Sequence, residues 1–130
     1  LSAMREMLKM PAIRETVELM RNADIILFGV GRADAMARRR GLETAQVETL
    51  LHLGAVGESL GDFFDIEGRT VYQSPSVSAE LQTQRPGSRM MAVAAGACKG
   101  QAILAAVRHN PPDSLILDEG AARSILRLLQ

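Results

Sequence analysis

The side chains best suited to chemistry lie in three glycine-bearing turns and two flanking stretches. The turns are "GVGRAD" (29–34), "AAGACKG" (94–100) and "DEGAA" (118–122); the stretches are the run Arg38, Arg39, Arg40 and the glutamate of "GAVGESLGD", Glu58. In the first turn Gly29 and Gly31 match the opening of a GxGxxG dinucleotide fingerprint, but Asp34 occupies the third position, where close helix packing needs glycine or alanine. The same two glycines also fit a tight strand-to-helix turn, or a turn whose N–H groups face a smaller anion. In the second turn Gly96 is expected to end a strand. The helix that follows would direct its N–H groups outward and carry Lys99 in its first turn, a combination that suits phosphate. Successive helical residues point about 100° apart. The run is either a solvated helix face throughout, or at most one or two of the three arginines face a crevice, where a guanidinium grips phosphate with two hydrogen bonds. Glu58 can accept hydrogen bonds from sugar hydroxyls, pair with an arginine, or be a surface charge. Cys98 reads as a small apolar filler, and His52 and His109 as structural. No nucleophile elbow, P-loop or paired-carboxylate arrangement is present, and no residue is assigned a catalytic role.

Composition narrows the function classes. The chain has 130 residues, 47% of them hydrophobic, with 15 basic against 15 acidic side chains. That length suits a single domain, 1–130, with a substantial core. The zero formal charge argues against a domain that works by neutralising nucleic-acid phosphates. One cysteine and two histidines allow neither an internal disulfide nor a zinc constellation, so no metal and no cofactor is expected and a reducing cytoplasm fits. Apolar runs such as Ile25 to Val30 are far shorter than the ~20 residues of a membrane helix, so no membrane contact is expected. The chain opens at Leu1 inside a helix-like stretch, which suggests a piece of a longer polypeptide.

The elements that must position these residues follow from periodicity. Pro11 at a helix start with Ile13, Val17 and Met20 predicts an amphipathic helix over 11–22. Ile25 to Val30 reads as a parallel strand buried on both faces. A helix over Ala33 to Arg40 ends at Gly41, a natural left-handed stop, and Thr44 to His52 is helical again with Val47, Leu50 and Leu51 on one stripe. The middle is less regular: one strand at Thr70 to Gln73, then a loop-rich "PSVSAELQTQRPGS". "MMAVAAG" (90–96) is a second buried strand, followed by a helix from about Ala97 to Arg108. "SLILD" (114–118) is a third strand, leading to a helix with Ala122, Ile125, Leu126 and Leu129 on one face. Alternating strands and helices in this order require parallel strands with right-handed crossovers, and ligands of such sheets bind at the strands' carboxyl ends.

Four segments, "ADIILFGVGRADAMARRRG", "GAVGESLGDFFDIEGRTV", "AVAAGACKGQAILAAV" and "LILDEGAARSIL", resemble the effector-binding domain of the SorC/DeoR-like bacterial transcriptional regulators, in particular the branch that controls central glycolytic genes. The resemblance implies an α/β fold: a Rossmann-like, open, mainly parallel sheet flanked by helices, similar to ribose-phosphate isomerases and glucosamine-phosphate deaminases, with this chain its C-terminal part. It also implies that the DNA-binding helix-turn-helix and the sensor's first strands lie outside the chain. Matched motif to motif, it places ligand contacts at Arg39, Glu58 and Lys99, and the turns add Gly29, Gly31 and Gly96. Ala95 departs from the family, which usually has glycine there. A phosphorylated sugar such as fructose bisphosphate is the implied effector, and homo-oligomers are implied as well. The leading expectation is thus a non-catalytic, cytoplasmic sensor that reaches DNA only through the missing domain. The alternative is a sugar-phosphate isomerase or deaminase on the same scaffold. A third reading, an assembly module, follows from the apolar last helix and an exposed sheet edge.

Overall fold

A computed structural model describes residues 2–75 and 86–130. The first helices are α1 (Ser2–Met7) and α2 (Pro11–Arg21), the latter starting at Pro11 and burying Val17. Strand β1 (Ile25–Gly29) pairs in parallel with β6 (Arg89–Ala94), which pairs in parallel with β7 (Ser114–Leu117). This three-stranded sheet is the parallel α/β unit that the alternating pattern predicts. Helices α5 (Gly100–His109) and α6 (Glu119–Leu128) follow β6 and β7. The loop-rich stretch expected after Ser74 falls largely outside the described residues.

The middle of the chain departs from expectation. After β1 and the single residue Val30, the chain enters β2 (Gly31–Arg32), which opens a second, antiparallel sheet in the order β2-β3-β4-β5, with β3 (Gly57–Ser59), β4 (Asp62–Phe64) and β5 (Thr70–Gln73). Only β5 is foreseen by periodicity. Helices α3 (Ala33–Arg39) and α4 (Thr44–His52) lie between β2 and β3. Side chains alternate across a strand, so the adjacent Phe63 and Phe64 of β4, both fully buried, enter different cores. Phe63 packs with Ala33, Ala37, Val47 and Leu50 of α3 and α4. Phe64 packs with Val30, Ala94, Ala121 and the α5 residues Ala102, Ile103 and Ala106.

Both ends of the α3–α4 connection are built to fix direction. α3 closes with Gly41 at φ +77°, and the N–H groups of Gly41 and Leu42 donate to the carbonyls of Arg38 and Ala37. That is the pattern of a left-handed helix stop, as the position of Gly41 predicts. It makes Arg40 the capping residue. α4 then starts with a reciprocal cap between Glu43 and Gln46.

Two further expectations are corrected. β1 is not covered on both faces: Ile26 is buried, but Ile25 and Leu27 are 57% and 67% exposed. The helix after β6 begins with a 3-10 turn, Ala97–Lys99, so that Lys99 sits ahead of α5 rather than in its first turn. On α6 the buried residue is Ala121; Leu126 on it and Leu129 just beyond it are exposed.

Candidate functional site

An open cavity of about 330 Å³ lies where β1 ends, lined among others by Phe28, Gly29, Gly31, Met36, Arg39, Arg40, Glu58, Leu60 and Lys99. Five parts of the chain converge on it. β1 and β2 bring the two glycines, the end of α3 brings the arginines, the β3–β4 hairpin brings Glu58 and Leu60, and the turn after β6 brings Lys99. Residues 39, 58 and 99 are therefore neighbours in space.

The first turn is not the strand-to-helix turn that its glycines suggest. Neither Gly29 nor Gly31 has a positive φ. A Cβ at Gly31 would collide with the Met36 side chain, which would have to turn aside. Gly29 is not crowded: its nearest contact would be the Val93 carbonyl oxygen at 3.8 Å. Gly96, the sixth residue singled out from the sequence, does not line the cavity. Its N–H donates to the Asp118 carboxylate at 3.0 and 3.1 Å, so this donor is already engaged. Its φ of +104° explains the glycine by backbone geometry alone.

Glu58 is 3% exposed, and its Oε1 accepts from Arg40 Nη2 and from the Gly61 N–H, each at 2.7 Å. Of the three roles open to it, the arginine pair is the one formed. Gly61 belongs to a two-residue turn with Leu60, at φ +97° and +52°, the mirror-image geometry that suits a hairpin's twist. Leucine in that region costs roughly 1–2 kcal/mol. The turn closes against a wall of the cavity.

The consecutive arginines divide. Arg38 reaches Asp34 at 3.5 Å. Arg39 lines the cavity with no hydrogen-bond or ion-pair partner among the described residues. Arg40, which sequence reasoning did not select, holds Glu58. Gly41 is the signal that could have found it, because a helix stop there makes residue 40 the one that turns back. Lys99 Nζ makes no hydrogen bond among the described residues; its charge helps lower the pKa of Asp118, after the larger effects of the Ala121 and Gly96 N–H groups.

A second cavity of about 210 Å³ opens beyond β2, lined by Arg32, Asp34, Cys98 and Gln101 among others. Arg32 grips Asp34 with two bonds, at 3.0 and 2.6 Å. Burial alone would raise the Asp34 pKa, but the bonds and charge of Arg32 prevail and lower it. Cys98 is exposed rather than a buried filler. His109 is structural, as expected: its ring stacks on Phe64 at 5.0 Å, and its nitrogens face the Gly68 carbonyl and Asp62. His52 only caps its own helix through the Glu48 carbonyl. Among the described residues no cluster of three metal-ligating side chains occurs, and no helix is long and apolar enough to cross a membrane.

A parallel α/β sheet with a cation-lined cavity at its strand ends defines the class: a small-molecule-binding α/β domain. The chain belongs to the Sugar-bind family of sugar-binding domains, found in SorC/DeoR-type transcriptional regulators, whose model matches residues 2–127. It is 33% identical over 125 residues to the central glycolytic genes regulator of Priestia megaterium, and 31% identical over 117 residues to that of Bacillus subtilis. Those matches cover 96% and 90% of this chain but only 36% and 34% of the regulators. A crystal structure assigned to the SorC family of transcriptional regulators, from Enterococcus faecalis, superposes with a TM-score of 0.83 at 35% identity, covering 96% of this chain and 51% of that one. The similar proteins are thus transcriptional regulators, and the chain spans about a third of the glycolytic regulators' length.

Proposed function

We propose that the chain is the phosphate-gripping part of a sensor for a phosphorylated sugar, and that the 330 Å³ cavity is its binding site. One observation carries this: Arg39 and Lys99, without hydrogen-bond partners among the described residues, face the same space as a carboxylate already neutralised by Arg40. A phosphate ester bears about −1.5 to −2 charge at pH 7, which two free cations match. Glu58 would read a sugar hydroxyl beside it. The volume falls within the ~300–1,000 Å³ typical of small-molecule sites. Fructose bisphosphate is the effector we favour, in line with the glycolytic regulators the chain resembles.

The sensor reading requires binding to shift the balance between two arrangements of a larger regulator. A tenfold preference for one of them amounts to about 1.4 kcal/mol. DNA contact would come from a separate domain of that regulator, acting in the cytoplasm as a homo-oligomer. The uncovered face of the parallel sheet, with Ile25 and Leu27, would pack against another part of the same polypeptide, making residues 1–130 part of a larger domain.

Calorimetric titration of the intact regulator with mono- and bisphosphorylated sugars tests the reading. Charge-assisted hydrogen bonds contribute about 1.5–3 kcal/mol, so Lys99→Ala and Arg39→Ala should each weaken the best ligand by roughly 10- to 100-fold. Unchanged affinity in both variants would show that the site lies elsewhere. Conversion of the sugar phosphate, followed by NMR, would show an enzyme instead.

A further inference from the structure

We propose that Arg40 is the positioning residue of this cavity: it cancels the charge of Glu58 and aims the carboxylate's second oxygen at a ligand hydroxyl, leaving the phosphate to Arg39 and Lys99. This rests on the sugar-phosphate reading above and adds a role that the cavity's ligand-facing residues do not supply.

The argument starts from a conflict. A carboxylate that is 3% exposed in the wall of an anion site repels the anion, the more strongly because the surroundings are poor in water. A buried carboxylate without a partner is also costly to the fold. Arg40 removes both difficulties through the 2.7 Å bond to Oε1. Its own side chain is 30% exposed and lines the cavity.

Orientation follows from the second bond. Oε1 is held from two sides, by Arg40 at the end of α3 and by the Gly61 N–H in the β3–β4 turn. Oε2 makes no hydrogen bond among the described residues. Glu58 lines the cavity, so Oε2 is the carboxylate oxygen left for a ligand. An ionised carboxylate oxygen only accepts hydrogen bonds. It selects a hydroxyl and rejects a phosphate oxygen. Reading along α3, Arg38 serves Asp34, Arg39 serves the ligand and Arg40 serves Glu58.

Fructose bisphosphate binding to the intact regulator tests this, with melting temperature followed for each variant. Arg40→Gln should weaken binding at least tenfold, because an uncompensated carboxylate then faces the phosphate. Adding Glu58→Gln to that variant should recover most of the loss, bringing affinity to within about threefold of Glu58→Gln alone, and Arg40→Lys should recover part of it. A merely structural arginine gives a different pattern: the double variant binds no better than Arg40→Gln. That outcome, or wild-type affinity in Arg40→Gln, overturns the assignment while leaving the sugar-phosphate site standing. If Arg40→Gln does not fold, the comparison of the double variant with Glu58→Gln alone still decides, since a more than tenfold gap contradicts the proposal. A wild-type regulator that binds no phosphorylated sugar overturns the site reading and this one together.

Discussion

At the residue scale the site is built from small spatial permissions as much as from charges. Gly31 exists for Met36: an added methyl would overlap that side chain, and Met36 lines the same cavity. Overpacking of this kind typically costs 1–3 kcal/mol. Gly31→Ala should lower the unfolding free energy by about that amount in a denaturant titration. Met36→Ala in the same chain should restore much of it, because the colliding atoms are then gone. Gly57 is enclosed more rigidly, with Phe64 Cε2 at 2.6 Å and the Ala102 backbone at 3.0 Å from a built Cβ. There no single side-chain truncation relieves the clash, so Gly57→Ala is expected to be more damaging and not rescued by Phe64→Leu.

At the element scale the parallel layer was legible and the antiparallel layer was not, for reasons visible in particular residues. β1, β6 and β7 announce themselves as short apolar runs, and α2 by Pro11 and the spacing of Ile13, Val17 and Met20. β3 and β4 are three residues each and bury Glu58, Ser59 and Asp62, so no alternation of apolar and polar residues marks them. Their turn, Leu60–Gly61, lacks the Asn-Gly or Asp-Gly signature of such hairpins. Of the six residues singled out, Gly29, Gly31, Arg39, Glu58 and Lys99 line one cavity and Gly96 does not; Arg40 was not legible, because the direction of a capping side chain is set by the helix stop. The third turn, "DEGAA", proves to be a brace. Asp118 caps α6 through the Ala121 N–H at 2.8 Å and ties it to the turn after β6 through Gly96. These bonds, Ala121 first and Gly96 second, lower its pKa. Its contribution to stability is therefore present above the ordinary aspartate value near pH 4 and disappears as pH falls through the lower folded-state value. Asp118→Asn should lower the melting temperature at pH 7 and flatten its fall below pH 4, as thermal scans across that range will show.

At the scale of the whole molecule, the parallel sheet is finished on one side only. The register places Ile25, Leu27, Met91, Val93 and Ile116 on one face. Ile25, Leu27, Val93 and Ile116 are between 40% and 67% exposed. Such a face on a monomer marks an interaction surface. If the rest of the regulator packs there, Leu27→Ser will affect two proteins differently. In the intact regulator it should destabilise by about 2 kcal/mol, the scale of burying a leucine. In the 130-residue chain it should leave the unfolding free energy nearly unchanged and reduce binding of an apolar dye. Equal effects in both would mean that this face stays solvated in the regulator.

The roomy backbone at Gly29 has a practical outcome. A methyl group fits there with its closest neighbour, the Val93 carbonyl oxygen, at 3.8 Å, so alanine at this position should preserve the scaffold while adding one apolar group to the residues around the cavity. Gly29→Ala should therefore melt with the wild-type chain, and a loss of sugar-phosphate binding without a change in melting temperature would separate occupancy of the cavity from folding.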